Sequence, residues 1–185
     1  MRDLVAEAKV SVLIDADRLA ARVAELGQEI SRDHKTRDLL VVCVLKGSVL
    51  FFADLCRSIS VPLRMDMLAV ESYHGGTKSS GNVRFVHDLR EDVSGRHVLL
   101  VEDIVDTGRT IAHLVNMLGK RGPASVKVAT LLDKPSRRVE EVDLAYTGFE
   151  VPDRFVIGYG LDYAQYFRNL PYIGVLEGPA ELMNA

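Results

Sequence analysis

Two adjacent carboxylates and a loop of small, hydroxylated residues are the part of the sequence with the clearest chemistry. Glu102 and Asp103 follow a short apolar run, and Asp106 opens a loop that continues to Thr110. Apolar residues at helical spacing come next, so the loop amides should lie at a helix N-terminus, where anions bind well. Gly108 lets the backbone approach a bound group closely. The stretch therefore predicts a phosphate site beside an acidic pair.

Carboxylates beside a phosphate would repel it unless they bind something else. The vicinal hydroxyls of a sugar can donate hydrogen bonds to two carboxylates, either directly or through Mg²⁺, a cation that prefers oxygen ligands. A ribose 5-phosphate therefore suits both halves of this site. The candidate binding residues are Glu102, Asp103, Asp106, Thr107, Gly108, Arg109 and Thr110.

The same residues have other possible interpretations. The triplet that begins at Asp106 also occurs in aspartic proteases, but those require an all-β setting, whereas a helical pattern follows here. The aspartate pair of haloacid dehalogenases is two residues apart, whereas Asp103 and Asp106 are three apart. The remaining alternative is an acidic turn that follows a core strand and has no chemical function.

The elements around this stretch predict an α/β fold with a mostly parallel twisted sheet flanked by helices. Uninterrupted apolar runs, typical of strands buried on both faces, occur at 39–45 and 98–101, and residues 125–132 are also interpreted as a strand. Segments with helical spacing alternate with them, at 15–30 and 111–118 among others. We expect the strand of residues 98–101 to end at the acidic pair, because ligands in such sheets bind beyond the carboxyl ends of the strands.

A second strand-to-helix turn predicts a second anion site. Lys46, Gly47 and Ser48 connect the apolar run at 39–45 to a helical segment at 49–58. The turn exposes backbone amides, and the lysine adds a positive charge beside them. An ordinary turn with an exposed lysine is the alternative.

The segment at 72–82 predicts a lid. It contains three glycines, three serines and almost no apolar residue, so it cannot pack, and strand-like character resumes at 83–89. Long excursions within compact domains often cover active sites. Ser72 and Tyr73 would head this lid.

Length and composition predict one domain over residues 1–185 and exclude several classes of function. The net charge of −3 gives no broad basic surface for nucleic acid, and no apolar run approaches the length of a membrane span. Cys43 and Cys56 have no metal-binding or paired spacing, which favours reduced thiols and a cytoplasmic location. The turn from Arg137 to Glu141 is expected to be charged and solvated.

Residues 98–110, VLLVEDIVDTGRT, resemble the signature of the type I phosphoribosyltransferases: four apolar, two acidic and two apolar residues, then D-T-G-x-T. Residues 153–168, DRFVIGYGLDYAQYFR, resemble the purine-binding hood of the hypoxanthine-guanine branch, although Arg154 stands where a lysine is common. The resemblance extends over about residues 39–176. It implies a small hood subdomain, formed by the N-terminal segment and residues 150–185, above the sheet.

The resemblance also implies an activity. The chain would transfer the 5-phosphoribosyl group from 5-phosphoribosyl 1-pyrophosphate (PRPP) to hypoxanthine or guanine with the help of Mg²⁺, as a homodimer or homotetramer. Asp106 would be the general base, and Lys46, Gly47 and Arg168 would bind pyrophosphate. Lys134 can only donate hydrogen bonds, so beside a purine it favours a 6-oxo group. The implied purine ligands are Lys134, Phe155, Val156 and Asp162, and the implied metal ligands are Glu102, Asp103 and Asp162.

Two alternatives remain at this level. One is an RNA-binding regulator of pyrimidine genes that keeps the PRPP motif, which would be expected to carry a basic face. The other is a transferase that uses adenine, orotate or xanthine.

Overall fold

A computed structural model describes residues 8–72 and 83–177. Three α-helices lie in these ranges: α1 (Ala16–Asp33), α2 (Val49–Ser58) and α3 (Arg109–Gly119). The strands are β1 (Lys9–Ile14), β2 (Leu39–Leu45), β3 (Leu63–Ser72), β4 (Val83–His87), β5 (His97–Val105), β6 (Ser125–Asp133), β7 (Tyr146–Glu150), β8 (Val156–Ile157) and β9 (Ile173–Glu177). A short 3₁₀-helix, Pro135–Arg137, follows β6.

The larger sheet confirms the predicted α/β fold. Its strand order is β4-β3-β2-β5-β6-β7, and every neighbouring pair is parallel except β3 and β4. Alternate residues of the central strands pack on opposite sides, with α1 and α2 on one face and α3 on the other. This two-sided burial explains why β2 and β5 are apolar without alternation.

A small antiparallel sheet of β1, β9 and β8, in that order, makes up the second layer of structure. Its middle strand β9 pairs with β1 along one side and with β8 along the other. The segments are the described parts of the N-terminal and 150–185 regions that the sequence assigned to a hood. The sequence pattern did not identify β1 or β7 as strands.

The prediction that the central strand ends at the acidic pair is wrong. β5 continues through Glu102 and Asp103 to Val105, because β6 pairs with it as far as Asp133. Adjacent residues of a strand point to opposite faces. The two carboxylates therefore lie on different sides of the sheet, and Asp106 is the first residue beyond it. Within the described ranges, no helix has both the length and the apolar character of a membrane span.

His34 gives the fold a pH dependence at the edge away from these loops. It caps α1, and its two buried ring nitrogens have no hydrogen-bond partner. Burial, followed by the nearby charges of Lys127 and Arg37, lowers the pKa of His34 to about 4. The unfolded chain therefore binds the extra proton at a higher pH than the folded chain does.

We predict that the contribution of His34 to the free energy of unfolding is greatest above about pH 6.5 and decreases toward pH 4. Between pH 7 and pH 5 the loss due to His34 should reach about 2 kcal/mol. Urea unfolding of the wild type and of His34→Leu at both values measures it, and the change in stability from pH 7 to pH 5 should be more favourable in His34→Leu by about the same amount. His87→Gln, at an exposed histidine, is the control and should show the same pH dependence as the wild type. Equal pH dependence in wild type and His34→Leu would contradict the assignment.

Candidate active site

The loop after β5 forms an anion cradle at the start of α3. Gly108 is the N-cap residue with φ +84°, a conformation that favours glycine. The first helical hydrogen bond runs from the Ala112 amide to the Gly108 carbonyl (2.9 Å), which leaves the preceding amides without helical partners. A cavity of about 90 Å³ lies here, lined by Glu102, Ile104, Val105, Asp106, Thr107, Gly108, Thr110 and Ile111. Arg109 begins the helix and is exposed.

The segment after the 3₁₀-helix supports this loop from below. The Thr107 carbonyl accepts hydrogen bonds from the amides of Val139 (2.9 Å) and Glu140 (3.0 Å). Arg138 lies under Gly108 with its side chain only 12% exposed, and its guanidinium forms an ion pair with Asp133. The expectation of a solvated turn is therefore wrong for Arg138. The run of charges in the sequence gave no sign that this arginine is buried.

Glu102 and Asp103 carry charge that is removed from water. Glu102 lines the cavity, and its buried Oε2 has no hydrogen-bond partner. Burial, with the neighbouring charge of Asp103, raises the pKa of Glu102 well above its usual range. Burial also raises the pKa of Asp103 to about 6, against the lowering effects of backbone amides and of Arg168. Such groups favour a bound cation or hydroxyl donors nearby.

Asp103 supports the second anion turn on the other face of the sheet. A Cβ on Gly47 would overlap the Asp103 carboxylate, and a Cβ on Gly160 would overlap the Gly47 carbonyl. Glycines at both positions therefore allow the turn to fit between β5 and the hood segment. The peptide bond between Leu45 and Lys46 is cis, and Lys46 is exposed.

Arg168 lies beside this turn. Its Nη1 donates to the carbonyl of Gly160 (2.6 Å), and its Nη2 forms an ion pair with Asp162 Oδ1 (2.6 Å). The other oxygen of Asp162 accepts from the amide of Gln165 (2.7 Å). The structure thus brings Arg168 to the predicted pyrophosphate turn, with Asp162 held against it.

Beside the cradle lies a second surface, which we name the seat. It is formed by Lys134 and by Phe155 and Val156 of the hood. Lys134 is 7% exposed and donates from Nζ to the Arg154 carbonyl (2.7 Å). Burial lowers the pKa of Lys134, opposed by the charges of Asp106 and Asp153. Phe155 is partly exposed, and its ring packs edge-on against Tyr163 with centroids 5.8 Å apart.

Val156 presents its backbone at the edge of the small sheet. It lies opposite Val175, while the Phe155 carbonyl accepts from the Leu176 amide (3.0 Å). In an antiparallel pair with this pattern, the N–H and C=O of Val156 point away from β9. They are therefore available to a ligand next to Phe155.

Asp106 lies between the cradle and this seat. Its Oδ1 contacts Arg137 Nε at 3.0 Å, and the amide of Lys134 donates to the Val105 carbonyl next to it (3.0 Å). Ser72 is the last residue of β3. Tyr73 and the rest of the predicted lid lie outside the described residues.

The anion cradle and the seat both lie at the ends of the strands of a parallel sheet. This arrangement defines an enzyme of the sugar-phosphate or nucleotide-binding α/β class. A family model described as "Phosphoribosyl transferase domain" matches residues 10–164. The chain belongs to the phosphoribosyltransferase family.

Relatives and solved structures extend this likeness over almost the whole chain. The hypoxanthine-guanine phosphoribosyltransferase of Streptococcus pneumoniae R6 is 48% identical over 166 residues, covering 90% of this chain and 92% of that protein. The Mycobacterium avium enzyme of the same name is 48% identical over 173 residues, with coverages of 90% and 85%. A hypoxanthine phosphoribosyltransferase structure from Staphylococcus aureus aligns with TM-score 0.89 and 40% identity, covering 95% of each chain.

Gly47→Ala tests the close packing of the turn between β2 and α2. The added methyl group must displace the Asp103 carboxylate, so we predict a loss of about 1–3 kcal/mol in the free energy of unfolding. Urea denaturation measures it. Gly119→Ala is the matched control, because a Cβ there meets nothing within 4 Å. Equal stability of the two variants would show that the turn accommodates the added methyl group and would contradict the prediction.

Proposed function

We propose that this chain transfers the 5-phosphoribosyl group of PRPP to hypoxanthine or guanine, giving the nucleoside 5′-monophosphate and pyrophosphate. The names of the relatives support this substrate class. The observation that carries the proposal is the position of Lys134 and Asp106. The two residues follow neighbouring strands and lie between the phosphate cradle and the exposed ring of Phe155.

The cradle would bind the 5′-phosphate through the amides and hydroxyls of Thr107 and Thr110. Lys46, Gly47 and Arg168 would bind the pyrophosphate on the other side of β5. Two anion sites on either side of the strand match the two charged ends of PRPP. Positive charge develops on the ribose as pyrophosphate leaves, so catalysis depends on orientation and electrostatics.

Asp106 would act as the general base. The carboxylate takes the proton from the purine ring nitrogen as the bond to the ribose carbon forms. Its free oxygen, Oδ2, accepts no hydrogen bond from the described residues. Asp106 is therefore ready to accept a proton without first losing an internal partner at that atom.

Lys134 would select the base. One of its three N–H groups is used by the Arg154 carbonyl, and those that remain can donate to a 6-oxo group. An amino group at the same place would leave its N–H donors facing those of Lys134 in a site that is shielded from water. Such a mismatch can discriminate by roughly 10⁴-fold. Phe155 would stack on the purine, while Val156 and Asp162 would bind its edge.

Mg²⁺ fits the acidic residues in part. The buried, unpartnered Oε2 of Glu102 and the raised pKa of Asp103 are features that a cation would relieve. Asp162 is already paired with Arg168, so its contribution would be weaker. The described residues contain no cluster of three or more His, Cys, Asp or Glu side chains suited to a metal, so substrate oxygens and water would complete the shell. When bound, the cation would offset the charge of the pyrophosphate.

We also propose that residues 1–185 act as one domain, with the segment at 72–82 as a lid over the pyrophosphate. The contacts of the hood segment with Gly47 support a single unit, because they join both layers at the site. A cytoplasmic location is supported by the two free thiols, Cys43 and Cys56.

An apolar groove supports self-association as a dimer or tetramer. Its volume is about 500 Å³, and it lies between α2 and β3. Met65 and Met67 on its floor are 58% and 39% exposed, which is unusual for large apolar side chains unless another surface covers them.

In sedimentation velocity we expect Met65→Glu to shift the wild-type oligomer toward monomer, whereas Val12→Glu, at a similarly exposed valine, should not. A monomeric wild type would contradict the proposal.

The activity is tested by a spectrophotometric panel of purine bases with PRPP and Mg²⁺. We predict turnover of hypoxanthine and guanine but not adenine, and no turnover when the cation is chelated. Asp106→Asn should lower kcat by about 10²–10⁴-fold, because it removes the proton acceptor but preserves size.

Lys134→Met separates recognition from chemistry. It should reduce the preference for 6-oxopurines over adenine while leaving PRPP binding intact, which equilibrium titration measures. Turnover of adenine by the wild type, or full activity of Asp106→Asn, would rule out this assignment of the site.

A further inference from the structure

Arg137 connects the proposed general base to the hood. It ends the 3₁₀-helix after Lys134, and its amide donates to the Lys134 carbonyl (3.1 Å). Its Nε lies 3.0 Å from Asp106 Oδ1, and its Nη1 lies 3.4 Å from Asp153 Oδ1. One guanidinium therefore contacts two carboxylates, one just beyond the end of β5 and one in the hood segment.

We propose that Arg137 is a positioning residue for Asp106, which it holds through Oδ1 so that Oδ2 faces the purine. This inference rests on the proposed function. It gives the two oxygens of one carboxylate separate tasks, one structural and one chemical. The arrangement follows the general pattern in which a catalytic base is oriented by a third group.

The burial of the two oxygens supports this division. Asp106 Oδ1 is buried and has no partner with good hydrogen-bond geometry. The contact with Arg137 is therefore an ion pair, and it is the interaction that offsets the burial of this oxygen. The side chain as a whole is 38% exposed, so its accessible surface belongs to the rest of the group. Without Arg137, the carboxylate could rotate and turn Oδ2 away from the ligand.

The second anchor fixes the direction of the guanidinium. Lys134, also positive, lies near enough to Arg137 for each charge to oppose the other, and burial together with this repulsion lowers the pKa of Lys134. Asp153 and Asp106 balance the two cations. The planar guanidinium can contact both carboxylates at once, which a lysine at the same position cannot do with the same geometry.

The exposure of the pair separates this role from a role in stability. The side chains of Arg137 and Asp106 are 48% and 38% exposed, and ion pairs at such sites contribute little to folding. Arg137 variants should therefore fold normally. Arg64 offers a matched control, because it is 55% exposed and also spans two carboxylates, Asp38 and Glu91, away from the loops of the site.

The experiment is steady-state kinetics with hypoxanthine, PRPP and Mg²⁺ on Arg137→Met, Arg137→Lys, Asp153→Asn and Arg64→Met. We expect Arg137→Met to lower kcat on the order of tenfold, because Asp106 loses its orientation. The KM for PRPP should stay within about twofold, since the phosphate cradle is untouched. Arg137→Lys should restore part of kcat, Asp153→Asn should have a smaller effect than Arg137→Met, and Arg64→Met should match the wild type.

Three outcomes would overturn the proposal. These are unchanged kcat in Arg137→Met, a rise in the KM for PRPP with kcat intact, or an equal loss of kcat in Arg64→Met. If the wild type is active and one of these outcomes is found, only the role of Arg137 is overturned. If the wild type itself is inactive, the proposed function is overturned instead. Urea midpoints for all variants confirm that the comparison is between folded proteins.

Discussion

The removal of two adjacent carboxylates from water is the constraint on which the site depends. Glu102 and Asp103 lie inside a central strand, where burial raises the pKa of both. Buried charge must be matched by cations, donors or a ligand. Arg168 and backbone amides do this for Asp103, whereas Glu102 keeps an unpartnered oxygen that faces the cavity. A group that brings hydroxyl donors or a cation to Glu102 would therefore bind with a gain in free energy.

The strand periodicity explains how one acidic pair reaches two separate glycine turns. Because Glu102 and Asp103 point to opposite faces, the first lines the cradle at α3 and the second packs on the turn at Gly47. A ligand that reaches both sites must pass over the end of β5. The hood contributes from above, through Arg168 and through the Arg154 carbonyl that holds Lys134.

Much of this was predictable from the sequence, because the main sheet and its cradle depend on local patterns. Apolar runs identified β2 and β5, the segment at 125–132 was interpreted as a strand and is part of β6, and glycines marked the turns that lead into α2 and α3. The extent of β5 was not predictable, since it depends on pairing with β6 as far as Asp133. The positions of Arg137 and Arg138 were not predictable either, because adjacent arginines in a charged run look alike. In the structure one contacts Asp106 and the other lies beneath Gly108.

A crystal structure of the protein with inosine 5′-monophosphate and Mg²⁺ would show whether one ligand extends from the cradle at α3 to Lys134. We expect the phosphate at hydrogen-bond distance, about 3 Å, from the amides and hydroxyls of Thr107 and Thr110. We also expect the ribose hydroxyls beside Glu102 and the 6-oxo group at Lys134 Nζ. A nucleotide bound elsewhere, or one whose phosphate lies away from the start of α3, would contradict this expectation.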